Sequence, residues 1–311
     1  MTSLALATAT STQILIMLFI IIVGIISYKV KLVDEDTNKR LSDIVLMLIN
    51  PFVIFVSYQR KFEATLLKGL LISLVLAVMT HLFGIILSYL VLRRKNHGED
   101  IAIERFAIIY SNCGFIGIPL VNGIFGSEGV FYITAYITIF NLCVWTHGLI
   151  TMSGEKDKKT IIKALLSPSV IATLSGFVFF ILRITIPKIA YDSMAYIGNM
   201  NTPMAMLVAG VTIAQANILK SLSNLRIYYI TFFKLLLIPL AMLLIFRLFD
   251  IPRVVLLTSV LAAACPTAAT INLFSIRFGK NYFYASELFA VTTILTIITI
   301  PLVMIIAGYL V

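Results

Sequence analysis

Two apolar segments, residues 108–125 (IIYSNCGFIGIPLVNGIF) and 258–278 (TSVLAAACPTAATINLFSIRF), are long enough to cross a bilayer, yet each carries helix-breaking residues near its middle. A chain in hydrocarbon must satisfy its own backbone N–H and C=O groups. A broken helix is therefore tolerated at membrane depth only where protein or a water-lined cavity takes up the freed groups. Both segments run into a Phe-Gly pair, Phe125-Gly126 and Phe278-Gly279. Interrupted hydrophobic segments at corresponding places in two halves of a chain point to a binding site shared between those halves.

The rest of the chain agrees with a membrane setting. Of its 311 residues 60% are hydrophobic and 12% charged, at a mean hydropathy of +1.04, too little polar residue to coat a water-soluble globule. Apolar runs of about 20 residues predict ten helices, near 12–28, 41–58, 66–92, 101–125, 130–152, 165–186, 194–219, 225–249, 252–276 and 282–311. The first run has no charge before it, while Lys29 and Lys31 follow it, so it reads as a retained helix rather than a cleaved signal. Alternate connections hold sixteen and seven Lys and Arg residues, counted as Lys29 to Lys280 after odd-numbered helices and Arg60 to Arg253 after even-numbered ones. The positive-inside rule then puts both termini outside. The formal charge of +10 is mostly topology and contact with anionic lipid, which argues against a nucleic-acid partner.

The spacing predicts an internal repeat. Pro51 and Pro203 lie 152 residues apart in the second helix of each half, and Gly126 and Gly279 lie 153 apart after the fourth. Five helices per half is an odd number, so the second half enters the membrane from the opposite side. The expected architecture is all-α: ten transmembrane helices as two inverted five-helix repeats, residues 1–152 and 165–311, joined by a short cytoplasmic connection at 153–164, with broken, crossing helices 4 and 9.

The breaks carry the chemistry. Pro119 lacks a backbone N–H and its ring clashes one turn back, and Gly114 and Gly117 ease departure from helical geometry, so the first helix is expected to open there. Pro266 does the same in the second half, followed by Thr267, Thr270 and Asn272. Half-helices that restart after a break point their amide ends, with roughly half a positive charge each, at a midplane cavity suited to a carboxylate. Asn112, Asn122, Thr267, Thr270 and Asn272 add neutral hydrogen bonds there. Either segment alone reads as readily as a kink in a packed helix; the matched pair favours a site.

Few ionisable residues lie within the helices. Lys234 falls nine positions into the eighth, and a shift of 153 matches it to His81 in the third. Lys234 is a candidate counter-charge to substrate or proton-linked switch, and His81 a weaker one. Glu287 and His147 read as interfacial, and Asp34, Glu35 and Asp36 as a solvated connection. Cys113, Cys143 and Cys265 show neither metal nor disulfide spacing and read as small packing residues. No HExxH, GxSxG or phosphate-cradling Gly-Lys-Ser/Thr motif occurs, so the chain reads as a non-enzyme without cofactor.

The stretch Asn112 to Leu120 (NCGFIGIPL), Asn50-Pro51 in the second helix, and Cys265-Pro266 followed by NLFSIRFG together resemble the auxin efflux carrier family, which includes plant auxin transporters and bacterial permeases for malate and malonate. The resemblance spans essentially the whole chain. It implies the ten-helix inverted-repeat fold, a scaffold of helices one, two, six and seven, and a moving part of three to five and eight to ten. It also implies an elevator movement carrying substrate beside the crossing, with Asn112, Cys113, Gly114, Pro119, Pro266 and the region of Asn272 at the site. Asn50, Pro51, Thr202 and Pro203 would mark the scaffold. Two departures stand out. Repeat alignment from Pro119 lands on Asn272, so the second break centres either there or at Pro266, and the long regulated loop of plant members shrinks here to 153–163.

The expectation is a secondary transporter of a small organic anion, a mono- or dicarboxylate, in a plasma membrane such as a bacterial inner membrane, with a homodimer as one assembly and coupling to a proton or sodium gradient left open. The alternatives are a sodium-coupled symporter of the bile-acid type and a non-transporting ligand sensor.

Overall fold

The computed structural model describes residues 3–93, 100–154, 166–215 and 224–311. The connection expected at 153–164 and the basic residues Arg94, Lys95, Lys156, Lys158, Lys159, Lys163 and Lys220 fall wholly or largely outside them. Among the described residues all regular structure is helical, apart from one isolated antiparallel bridge between Ser111 and Thr267.

The elements in order are α1 (Ser3–Lys29), α2 (Glu35–Ile44), α3 (Asn50–Tyr58), α4 (Ala64–Val91), α5 (Ile101–Ile109), α6 (Ile118–Cys143), α7 (Leu149–Ser153), α8 (Pro168–Ile181), α9 (Lys188–Asn199), α10 (Asn201–Gln215), α11 (Leu225–Phe232), α12 (Ile238–Phe246), α13 (Arg253–Ala264), α14 (Thr270–Arg277) and α15 (Tyr282–Leu310). Single π-helical turns join α2 to α3, lead into α6, and join α6 to α7 and α11 to α12. Three of the four precede a proline at the second helical position, Pro51, Pro119 and Pro239. A widened turn removes the clash between the proline ring and the carbonyl one turn back, so these prolines sit inside continuous helices.

Six helical stretches are long and apolar enough to cross a membrane, at Ser3–Lys29, Glu35–Tyr58, Ala64–Val91, Cys113–Ser153, Leu225–Phe246 and Tyr282–Leu310. The 41-residue stretch Cys113–Ser153 is bent at Gly126 (φ 61°, ψ −154°), a conformation open essentially only to glycine. A helix was expected to end at this point, and the chain instead continues through the bend. Pro168–Ile181 and Arg253–Ala264 are shorter apolar helices. At 1.5 Å per residue the 12-residue α13 reaches only about 18 Å, against a hydrocarbon core of about 30 Å. The sixth expected span is also short, since α8 stops at Ile181 rather than 186, and the seventh is divided between α9 and α10.

Packing follows small residues. A Cβ on Gly24 of α1 would stand 2.3 Å from the Leu207 carbonyl oxygen of α10, and one on Gly210 would stand 2.1 Å from that of Ile21. The two backbones are in direct contact, the close approach that small residues allow in membrane helix pairs. On α3, Tyr58 packs edge-on against Phe131 and its hydroxyl pairs with Thr134 at 2.7 Å. The most enclosed element is α13, buried from Val255 to Ala264.

Candidate site where two broken helices cross

Both interrupted segments are broken, and they meet. Between α5 and the turn leading to α6, residues Tyr110 to Asn112 are extended. They run antiparallel to Pro266–Ala268, which separate α13 from α14. Asn112 donates its N–H to the Pro266 carbonyl at 2.7 Å, and Ala268 donates to that of Tyr110 at 2.9 Å. Two helices thus satisfy each other's freed backbone by a ladder two bonds long, as burial in hydrocarbon requires.

The breaks lie elsewhere than proline positions suggest. The first opens at Tyr110–Asn112, ahead of Pro119, which is already the second residue of α6; its carbonyl accepts from Gln13 of α1 at 3.2 Å. The second is at Cys265–Ala269, around Pro266, which settles that alternative against Asn272. The ladder bonds are exchanged by a local two-fold axis through Ser111 and Thr267, an offset of 267 − 111 = 156. The bend glycines Gly126 and Gly279, both at φ 61°, keep 279 − 126 = 153. Helix lengths absorb the three-residue difference. Before the crossing α5 has nine residues and α13 twelve. Alignment at a constant 153 therefore misplaces the second break by about one turn, and Asn272 lies within α14 rather than at the crossing.

Around the ladder, Thr267 donates its hydroxyl to the Ala107 carbonyl at 3.1 Å and its N–H to Thr292 Oγ1 at 3.2 Å. Ser111 donates weakly to the Ala263 carbonyl at 3.3 Å and accepts from Lys234 Nζ at 2.6 Å. Lys234 is buried, and no carboxylate is within ion-pair distance of it among the described residues. Its hydrogen bond to Ser111 ties it to the crossing.

His81, also buried, donates Nδ1–H to the Ala77 carbonyl at 2.8 Å, leaving Nε2 without a partner among Tyr110, Tyr136 and Phe140. His147 lies in a π-turn near the end of the span Cys113–Ser153, partly buried, with Nδ1 2.8 Å from the Tyr110 hydroxyl. Asp34, Glu35 and Asp36 are exposed, as a solvated connection would be, and begin a helix: Asp34 caps α2, accepting from the Thr37 N–H at 2.8 Å, and hydrogen bonding from the Thr37 side chain and N–H holds its carboxyl below the ordinary range.

The other candidates divide. Asn112, Cys113, Pro119, Pro266 and Thr267 are buried at or beside the crossing, Gly114 is partly buried, and Cys265 Sγ lies 3.3 Å from where a Cβ on Gly117 would stand. Thr270 opens α14 with a buried, unpaired hydroxyl. Asn272 accepts from Ser286 Oγ at 3.3 Å and faces α15. Asn122 is exposed on α6 and takes no part. On the expected scaffold, Asn50 accepts from Nδ2 of Asn201, the residue before Thr202; Pro51 and Thr202 are partly buried and Pro203 is exposed. Where α1, α10, α15 and the turn before α6 converge, beside the crossing, lies a small cavity of ≈ 20 Å³, room for about one water, lined by Met17, Ile116, Leu120, Met206, Thr293 and Thr296 among others.

Ser111, Asn201 and Thr292 were not singled out in sequence; of these only Ser111, next to Asn112, had a local signal. A separate polar cluster was also missed. Buried Glu104 of α5 pairs with Arg226 of α11 and accepts from the Tyr284 hydroxyl of α15 at 2.9 Å, beside a cavity of ≈ 400 Å³ that Glu287 also lines.

The model for a family described as membrane transport protein matches residues 9–304, nearly the whole chain. The chain belongs to this family, that of the auxin efflux carriers. Its relatives include an uncharacterized transporter of Methanothermobacter thermautotrophicus, 24% identical over 91% of this chain and 93% of that one, and the uncharacterized transporter YfdV of Escherichia coli, 27% identical over 90% and 92%. A Rhizobium meliloti protein provisionally named a malonate transporter is 25% identical over 70% of this chain and 71% of its own. A transporter embedded in the membrane by several apolar helices is thus established, in line with the family resemblance of NCGFIGIPL and the residues around Pro266.

Proposed function

We propose that the protein is a secondary transporter of small organic anions, mono- or dicarboxylates, held at the crossing of two broken helices and moved by elevator-type alternating access. The observation that carries this reading is the Lys234 ammonium: buried beneath the ladder, it has the Ser111 hydroxyl as partner and no carboxylate. An ammonium without a counter-charge in a low-dielectric interior is costly, and a bound anion offsets that cost. The half-helices beginning near Cys113 and Thr270 add their amide ends, and Asn112 Nδ2 is a buried donor with no partner. The name of the Rhizobium meliloti relative suits the same chemistry.

The architecture that goes with this reading has ten membrane passes in two inverted five-helix repeats, with α13 and α14 together making one broken pass. The local two-fold symmetry of the ladder and the paired bend glycines support it. The α1–α10 and α3–α8 contacts suit a scaffold, against which the crossing helices would move. We place the protein in a plasma membrane with both termini outside.

Flux of labelled malonate and other carboxylates into proteoliposomes, with and without sodium and proton gradients, tests the reading. Asn112→Ala should lower anion affinity at least tenfold while leaving a folded, monodisperse protein. Unchanged affinity removes Asn112 from the site, and absence of flux alongside tight binding would identify a sensor instead.

A further inference from the structure

We propose that Asn201, at the start of α10, is a specificity-determining residue whose Oδ1 accepts a hydrogen bond from a hydroxyl or other O–H group of the transported anion. The inference rests on the anion site proposed above and says what the anion must carry beyond its carboxylate. Asn201 and Asn112 are 3% and 5% exposed, and each has one side-chain atom enclosed and without a partner: Oδ1 of Asn201, an acceptor, and Nδ2 of Asn112, a donor. Buried polar atoms are almost always paired, so each of these two, of opposite sense, marks a place where a ligand can supply the missing partner.

Asn50 connects α10 with the turn that follows Asn112. It accepts from Asn201 Nδ2, which orients that amide and leaves its oxygen free, and its own Nδ2 lies 3.9 Å from where a Cβ on Gly114 would stand. Gly114 is two residues from Asn112 on the turn against which α10 packs.

The chemistry of the two atoms then sorts ligands. Asn112 Nδ2 can donate to a carboxylate oxygen. Asn201 Oδ1 can only accept, and a second ionised carboxylate has no hydrogen to give it. The complementary ligand is therefore a carboxylate with a hydroxyl close by, or a dicarboxylate carrying one proton. Such a site rejects the analogue without the O–H because its own oxygen is then left unpaired.

Malonate and 2-hydroxymalonate differ by that one hydroxyl and test the proposal by equilibrium binding to purified protein, at a pH well above the carboxylate range so that both are dianions. The wild type should bind hydroxymalonate at least tenfold more tightly. The ratio should fall to near one in Asn201→Leu, which keeps the side-chain shape, and in Asn201→Gln, which keeps the amide but moves its oxygen by one carbon; either variant suffices if the other fails to fold. Equal binding of the two anions by the wild type, or a preference that survives in a folded variant, overturns the role of Asn201 and leaves the anion site standing. Binding of neither anion overturns the anion site and the Asn201 proposal with it.

Discussion

Replacing Lys234 by Met separates a functional counter-charge from a structural ion pair, because the two roles predict opposite changes in stability. Met keeps the length of the stem and removes the charge. Lys234 is 1% exposed, with the Ser111 hydroxyl 2.6 Å away and no carboxylate in ion-pair reach among the described residues. An ammonium taken from water with so little compensation carries a penalty of several kcal/mol. Lys234→Met should therefore raise stability by about 2 kcal/mol, roughly a few degrees in thermal unfolding.

Anion binding should move the other way. Successive residues of an extended link point to opposite sides, so with Ser111 toward Lys234 an anion at Asn112 stands about 8 Å from the ammonium. At an effective dielectric of ~20 the attraction is ~2 kcal/mol, or ~30-fold in affinity. Thermal unfolding and equilibrium binding of malonate on the same purified variant measure both. A variant that unfolds earlier and binds as well as the wild type would refute the argument and make Lys234 a structural residue.

Three further outcomes follow from the geometry. Gly24→Ala places a methyl against the α10 backbone and should cost about 1–3 kcal/mol in thermal unfolding, since neither backbone can yield without moving a whole helix. Gly126→Ala meets nothing within 4 Å, so any loss, expected at about 1–3 kcal/mol, comes from the φ of 61° alone; an unchanged midpoint would refute backbone strain there. The Asp34 carboxyl is held below its usual range by hydrogen bonds from the Thr37 side chain and N–H, so its capping contribution is present above the ordinary carboxylate pKa and is lost as pH falls through the lowered folded value. The protection of the Thr37 amide, its exchange relative to the intrinsic rate at each pH, should fall only at acid pH in the wild type and already at neutral pH in Asp34→Ala.

The sequence by itself determined the class. Apolar runs of membrane length, two of them interrupted at matching positions, leave a helical membrane protein with broken helices as the consistent solution, because only helices and closed barrels satisfy the backbone in lipid and barrel strands alternate in polarity rather than running apolar for about 20 residues. It also brought out Asn112 and Lys234, since intramembrane polar residues are rare enough to be conspicuous.

Where each helix opens was decided only in the tertiary structure. Proline marks a place where a helix can break, but Pro119 stays in a helix because a π-turn before it removes the clash, and the opening moves to Tyr110–Asn112, where a second extended segment offers matching hydrogen bonds. The constant repeat offset failed at the crossing for a related reason. Three residues moved from one side of the break to the other leave the total length, and so the flanking register, unchanged. The Asn50–Asn201 pair was invisible in the chain because its two members lie 201 − 50 = 151 residues apart and are brought together only by packing. Local sequence determines which groups must be satisfied; which partner satisfies them is a property of the assembled helices.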